Sequence, residues 1–298
     1  MRDIPPARLR ESCERLLGSP VTDWQAIRAG YTTSQKWRVT TASGESAFAK
    51  YATKQGAIEG LQNERLAYAS LDLACVPRLI GWQAGTREAL LLLEDLSDAT
   101  WPPPWTDDVA EQVVGALREL QDVTAPPELR RLADADVSPG AWEEIGRSPE
   151  GLVGLGVCSE DWLARARTPL RRAATASTVT GKHVVHGDVV RGNLCFRDGQ
   201  ALLVDWSYAA RGSPKFDLAF WLPAQHSEGG PLPDRFLPDS EGLSARLAGF
   251  WAVRAVAELA PELKGLSAMY RRYVASALDW AARELGLPPP DGHSRSSA

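Results

Sequence analysis

The sequence predicts an α+β protein in two lobes, a small N-terminal antiparallel sheet carrying one main helix and a larger, mostly helical C-terminal lobe. Two observations carry this prediction. Up to residue 96, strand-like segments and one long helical segment follow each other as strand, strand, strand, helix, strand, strand. Beyond the run Pro102-Pro103-Pro104, nearly every patterned segment repeats at helical spacing. The chain has 298 residues, enough for two lobes that each bury a core. The expected division is residues 1–96 for the sheet lobe, 97–286 for the helical lobe and 287–298 for a tail.

The elements follow in order. Residues 7–18 place Leu and Cys at helical spacing and end in glycine, which predicts a short helix with a glycine stop. Strands are predicted at 23–29, 35–40 and 46–51, separated by the turns Gly30-Tyr31-Thr32-Thr33-Ser34 and Ala42-Ser43-Gly44-Glu45. A helix over 54–72 precedes two strands, 79–84 and 89–94, joined through Gly85-Thr86-Arg87. The segment 97–105 holds the proline run and cannot be a regular helix or an inner strand, so it reads as a linker. Helices are expected at 107–122, 159–174, from 217, at 241–258 and at 263–285. Short strands and a loop occupy 183–206. Residues 287–298 are rich in Pro, Ser and Gly and read as disordered.

Composition narrows the function. Apolar residues at 44 % and charged residues at 24 % are ordinary for a soluble protein. A net charge of -5 offers no general attraction to nucleic acid or to an anionic membrane. No long apolar run predicts a membrane span, and Met1–Pro6 lacks the apolar core of a signal peptide. Cys13, Cys75, Cys158 and Cys195 form no CxxC pair, which argues against zinc and against disulfides. A cytoplasmic protein with no nucleic-acid, membrane or obligate protein partner is expected.

One stretch carries chemistry. His186-Gly187-Asp188 is followed by Asn193, then by Leu202-Leu203-Val204-Asp205-Trp206. Phosphoryl transfer needs one carboxylate to take the acceptor hydroxyl's proton, and oxygen ligands to hold Mg²⁺ on the phosphates. Asp188, on a loop, is the candidate base. Asn193 offers a neutral amide oxygen and Asp205 a carboxylate at the end of an apolar strand, together a candidate metal pair. Alone, each reads as a turn residue; the joint spacing points to chemistry. His186 is assigned to holding the loop. Arg191 either meets a phosphate or the acceptor, or is a solvated loop residue.

Lys50 stands in the apolar strand Ala47-Phe48-Ala49-Lys50-Tyr51 and is costly to bury without a partner. Glu64 on the following helix is the best candidate, Glu59 the second. Backbone N–H groups and hydroxyls of Gly30, Thr32, Thr33 and Ser34 suit the covering of phosphates. Glu94 to Leu96, at the exit of the apolar strand Leu90–Leu93, suit backbone bonds to an adenine. Asp217 either caps a helix or reaches back to the loop before Asp188. Asp161, Trp162, Trp221, Glu228 and Trp251 are candidates for the wall of an acceptor pocket.

These motifs resemble the aminoglycoside phosphotransferase and choline kinase family, a branch of the protein-kinase-like fold. His186-Gly187-Asp188 with Asn193 is similar to that family's H-G-D-x-x-x-x-N loop. Val204-Asp205-Trp206 resembles its metal motif, Gly212-Ser213-Pro214 through Asp217-Leu218-Ala219 its G-x-P-x-x-D-L-A, and Leu92–Leu96 its hinge. The resemblance spans roughly residues 22–285. It implies a bilobal kinase-like fold, ATP or GTP with Mg²⁺, and a small-molecule hydroxyl as acceptor. By it, Asp188 is the base, Asn193 and Asp205 bind Mg²⁺, Lys50 meets the nucleotide phosphates with Glu64 as partner, and Glu94 to Leu96 meet adenine. The acceptor is an antibiotic, with resistance as the role, or a metabolite such as choline, an amino alcohol or a sugar. A non-catalytic nucleotide-binding relative would have lost the base or a metal ligand, and both are present. A metal-dependent hydrolase on His183, His186 and Asp188 is disfavoured, because residues three apart on a strand face opposite sides.

Overall fold

Two-residue alternation of side chains builds the first part of the molecule. In a computed structural model of the chain, which describes residues 4–28, 33–102, 104–135, 137–257 and 265–292, five strands make one sheet. They are β1 (Val21–Ala26), β2 (Gln35–Thr41), β3 (Ser46–Ala52), β4 (Leu79–Ala84) and β5 (Ala89–Glu94). Their spatial order is β1-β2-β3-β5-β4, with every neighbouring pair antiparallel. Successive side chains on a strand go to opposite faces. One face carries Trp37, Val39, Ala47, Ala49, Tyr51, Leu90 and Leu92, which close a core with Leu9 and Cys13 of helix α1 (Ala7–Leu17). Gly18 ends α1 in the left-handed region at φ 65°. Helix α2 (Gln55–Ser70) packs on β3 and β5 and buries Ile58, Leu61, Glu64, Ala67 and Tyr68.

Of four shorter strands, β6 (His183–Val185) pairs with β9 (Ala210–Gly212), and β7 (Leu194–Arg197) pairs with β8 (Gln200–Leu203). The remaining helices are α3 (Asp107–Gln121), α4 (Ala141–Arg147), α5 (Pro149–Gly154), α6 (Glu160–Ala176), α7 (Phe216–Ser227), α8 (Leu243–Val256) and α9 (Leu266–Glu284). The expected α+β architecture is present: an N-terminal antiparallel sheet followed by a helical C-terminal part.

Contacts divide the chain into two compact units. One comprises residues 1–102, 123–130 and 191–210; the other comprises 103–122, 131–190 and 211–298. The first therefore holds the sheet together with the β7–β8 hairpin. Leu203 N–H donates to the Cys75 carbonyl at 2.8 Å, and Thr100 bridges to Phe196.

In the second unit α8 is buried around almost its whole circumference and packs against α9, α6 and α4. A helix apolar all round is what that central position requires. Thr106 caps α3 by accepting from Val109 N–H, and Ser159 caps α6 by accepting from Trp162 N–H. The short helices α4 and α5 fall in a stretch where the sequence predicts none. Each spans two turns or fewer, too short for an apolar repeat to declare itself.

The expected tail is tied down where it is described. Trp162 Nε1–H donates to the Pro288 carbonyl at 2.9 Å, and Asp291 accepts from both the N–H and the hydroxyl of Ser159. Among the described residues no helix is long and apolar enough to cross a membrane.

Candidate active site

Lys50 is where sheet chemistry departs from sheet packing. It sits on β3, flanked by β2 and β5, and is 4 % exposed. Its Nζ donates to both carboxylate oxygens of Glu64 at 2.9 Å and lies 3.2 Å from Asp205 Oδ1. Glu64 is on α2, 2 % exposed. Burial works against the ammonium, but Glu64 and Asp205 together hold Lys50 above the ordinary lysine range. Two carboxylates share this one cation, and they divide it unequally. Burial pushes Glu64 up to about 7, opposed by Lys50 and reinforced by Asp205. Burial also works against Asp205, but Lys50 holds it down at about 2.

The register of a hairpin brings the segments that carry Asp205 and Asn193 to one end. Leu194 faces Leu203 across β7 and β8, so residues 193 and 204–205 emerge at the same open end. Val204 N–H donates to the Asn193 carbonyl at 3.0 Å and closes that end. Asp205 takes a left-handed backbone, φ 64° and ψ 67°, which costs a non-glycine residue about 1–2 kcal/mol. The turn behind it is held from two sides. Asn63 Nδ2 donates to the carbonyls of Ser207 and Ala209 at 3.2 and 2.9 Å. Arg130 donates to the same two carbonyls and lies over the Tyr208 ring. Asn63 and Arg130 carried no signal in the sequence, because their partners are backbone atoms more than 70 residues away.

The second unit carries the candidate base. Asp188 is half-buried on the loop that leaves β6, and its N–H donates to His186 Nδ1 at 3.3 Å. His186 is fully buried. Asp217, in the first turn of α7, accepts from His186 N–H at 2.6 Å and from Gly187 N–H at 2.9 Å. Of the two roles open to Asp217 in the sequence, the structure has the reach to the loop backbone, and no side chain caps α7. Burial pushes its carboxyl up to about 6; the two N–H groups pull the other way and Asp188 adds to the push.

The other candidates are placed as follows. Gly30 and Thr32 lie outside the described residues. Thr33 and Ser34 line a cleft of about 540 Å³ that runs along α2 past Gly56 and Gly60 to Glu64, Arg130 and Tyr208. The Glu94 side chain serves the fold, accepting from Arg78 N–H at 2.9 Å and pairing with Arg197 at 2.8 Å. Leu96 accepts from Ala99 N–H, and Arg191 donates to the Pro102 carbonyl. Asp161 is exposed in the first turn of α6.

Trp162, Trp221 and Trp251 are core side chains, at most 3 % exposed, which corrects their assignment to a pocket wall. Their area is used in packing: Trp221 stacks edge-on to Trp105, and Trp251 packs among Phe220, Phe250, Tyr270 and Tyr273. Glu228 accepts from Trp105 Nε1–H at 2.9 Å and so also supports that cluster.

Among the described residues no three His, Cys, Asp or Glu side chains gather into a metal cage. A hard cation bound by one or two protein oxygens plus phosphate oxygens needs no such cage. Asp205 Oδ1 suits that role: it is a buried carboxylate oxygen 3.2 Å from Lys50 Nζ. Asn193 lies at the same end of the hairpin.

Several solved structures share the fold. A spectinomycin phosphotransferase, APH(9)-Ia, solved in complex with ADP and spectinomycin, superposes with a TM-score of 0.60 at 15% identity, covering 96% of this chain and 100% of that one. An aminoglycoside phosphotransferase from Alicyclobacillus acidocaldarius gives 0.58 at 14% identity, over 95% and 96% of the two chains. The amicoumacin kinase hAmiN, in complex with AMP-PNP, Ca²⁺ and Ami, gives 0.50 at 13% identity, over 90% and 94%. A search of curated protein sequences gives no match. The sequence model of the phosphotransferase enzyme family matches residues 23–250, well over half of the chain. With a buried lysine paired to a helix glutamate, a carboxylate at a strand end and an H-G-D loop all inside that span, the chain belongs to the phosphotransferase enzyme family.

Proposed function

We propose that this protein is an ATP-dependent phosphotransferase acting on a hydroxyl group of a small molecule. The observation that carries the reading is the buried Lys50–Glu64 pair with Asp205 beside it. A lysine so placed is held extended and charged at the sheet face, ready to bond nucleotide phosphate oxygens. Glu64 fixes its position. Asp205 and Asn193 would hold Mg²⁺, which neutralises charge on the transferring phosphoryl group when bound. Asp188 orients the acceptor hydroxyl and takes its proton, on a loop whose backbone Asp217 clamps. The ADP and AMP-PNP bound to two similarly folded proteins support a nucleotide donor. Their acceptors, spectinomycin and the ligand of an amicoumacin kinase, support a small molecule as the other substrate.

The test is ADP release by the purified protein with MgATP against a panel of aminoglycosides, spectinomycin, macrolides, choline and sugars. Turnover is expected on at least one acceptor, with kcat lowered about 10²- to 10⁴-fold or more in Asp188→Ala. Turnover that survives Asp188→Ala would remove the assigned base. Tight MgATP binding with no turnover on any acceptor would favour a non-catalytic relative. Expression in a sensitive host then separates antibiotic from metabolite: protection by wild type and not by Asp205→Ala identifies an antibiotic acceptor.

A further inference from the structure

The sheet face that carries Lys50 carries a second lysine. Lys36 on β2 is the direct cross-strand partner of Lys50 on β3. Residues opposite each other in an antiparallel pair share a face, with Cβ atoms about 4.5–5.5 Å apart. Lys36 is 9 % exposed, and β2 is an inner strand, so this is not a lysine on a solvated edge. Like charges directly opposite destabilise a sheet. Burial and the neighbouring Lys50 both work against the Lys36 charge, while Asp205 and Glu64 favour it.

The local charges show what is missing. With all four groups ionised, Lys36, Lys50, Glu64 and Asp205 sum to zero, and both carboxylates already pair with Lys50. A triphosphate brings about four negative charges and a divalent cation removes two, so further positive charge is needed where the phosphates lie. Lys36 supplies a second cation directly opposite Lys50 on that face, where Arg38, two residues further along β2, is already paired with Asp95. We propose that Lys36 is a second phosphate-binding lysine, bonding the polyphosphate of the nucleotide alongside Lys50. The assignment rests on the phosphotransferase reading above and adds to it a residue that neither motif nor resemblance marks. The sequence did hold a clue: a hairpin turning at residues 42–45 sets 36 opposite 50, since 40 pairs with 46.

The experiment is calorimetric binding of Mg-AMP-PNP, MgADP and AMP to wild type, Lys36→Met and Lys36→Arg, with thermal unfolding of each. Lys36→Met is expected to weaken Mg-AMP-PNP and MgADP about tenfold or more and to leave AMP within about twofold. Lys36→Arg is expected to recover most of the loss. A lysine that serves only the sheet would change the melting temperature and leave all three affinities in their wild-type ratio, which overturns the assignment. An equal loss for AMP overturns it as well. Wild type that is folded yet binds no Mg-AMP-PNP overturns the donor-site reading itself, and this inference with it.

Discussion

At the scale of single residues, two buried charges, Lys50 and Glu64, and the half-buried Asp205 form one coupled group. Removing Lys50 strands Glu64 and Asp205 beside each other with their shared cation gone. Lys50→Ala is expected to destabilise the protein by about 3–5 kcal/mol, and Lys50→Ala with Glu64→Ala by clearly less, because the second change removes one uncompensated carboxylate. Urea denaturation of the two variants measures the difference; an equal loss in both would mean that charge pairing is not what the cost reflects. Asp217 makes a pH prediction. Its carboxyl is raised from 3.8 to about 6, so the stability it contributes is full below about pH 4 and is lost as the pH rises through about 6. The unfolding free energy of wild type minus that of Asp217→Asn should therefore fall, by on the order of 3 kcal/mol, between pH 4 and pH 7. A flat difference across that range would show that the two backbone N–H bonds outweigh burial. Lys50 stood out in the sequence as a charged residue inside an apolar strand, and Asp217 as the start of a helix after Gly212-Ser213-Pro214. Asn63, Arg130 and Lys36 did not, because what matters about them is the partner across space.

At the scale of elements, register and close approach do the positioning. The β7–β8 hairpin sets Asn193 beside Val204, next to Asp205 in the chain, and a slip of one residue would turn every side chain on it to the other face. Gly181, just ahead of β6 and the Asp188 loop, lies so close to its neighbour that a Cβ there would meet the Gly212 carbonyl oxygen at 2.0 Å. Gly181→Ala is expected to cost about 1–3 kcal/mol and to lower kcat, since the displaced backbone leads into that loop. Thr106→Ala removes only the α3 cap and should cost about 1 kcal/mol with kcat unchanged. Chemical denaturation and steady-state rates for the pair check both statements; loss of kcat in the cap variant would break the contrast. Element positions were well marked in the sequence where they were long: β4 and β5 lie at the predicted residues, and α2 begins and ends within two residues of its predicted range. They were unmarked where helices were short, as in α4 and α5.

At the scale of the molecule, function should appear as linkage. A ligand that binds only the folded state stabilises it by about 2.7 kcal/mol at a hundredfold excess over Kd, roughly 5 °C for a chain of this size. MgATP is expected to raise the melting temperature by that order in wild type and by far less in Asp205→Ala. The same rise in both would remove Asp205 from the metal site. The candidate residues fall in both contact units. Lys36, Lys50, Glu64, Asn193 and Asp205 belong to the unit that holds the sheet, and Asp188 and Asp217 to the helical one. The chain crosses from one to the other between Val190 and Arg191, inside the H-G-D-x-x-x-x-N loop itself.

The order of residues alone determined the antiparallel sheet, the longer helices beyond it, and the spacing of Asp188, Asn193 and Asp205, because periodicity and loop motifs are local in the chain. Tertiary structure alone decided which charges share a buried space. The pairing of Lys50 with both Glu64 and Asp205, the clamp of Asp217 on the loop, the hold of Asn63 and Arg130 on the turn after Asp205, and the burial of Trp162 and Trp221 all depend on contacts between distant segments. Burial and charge pairing are set by what surrounds a side chain in three dimensions, and no local pattern carries that information.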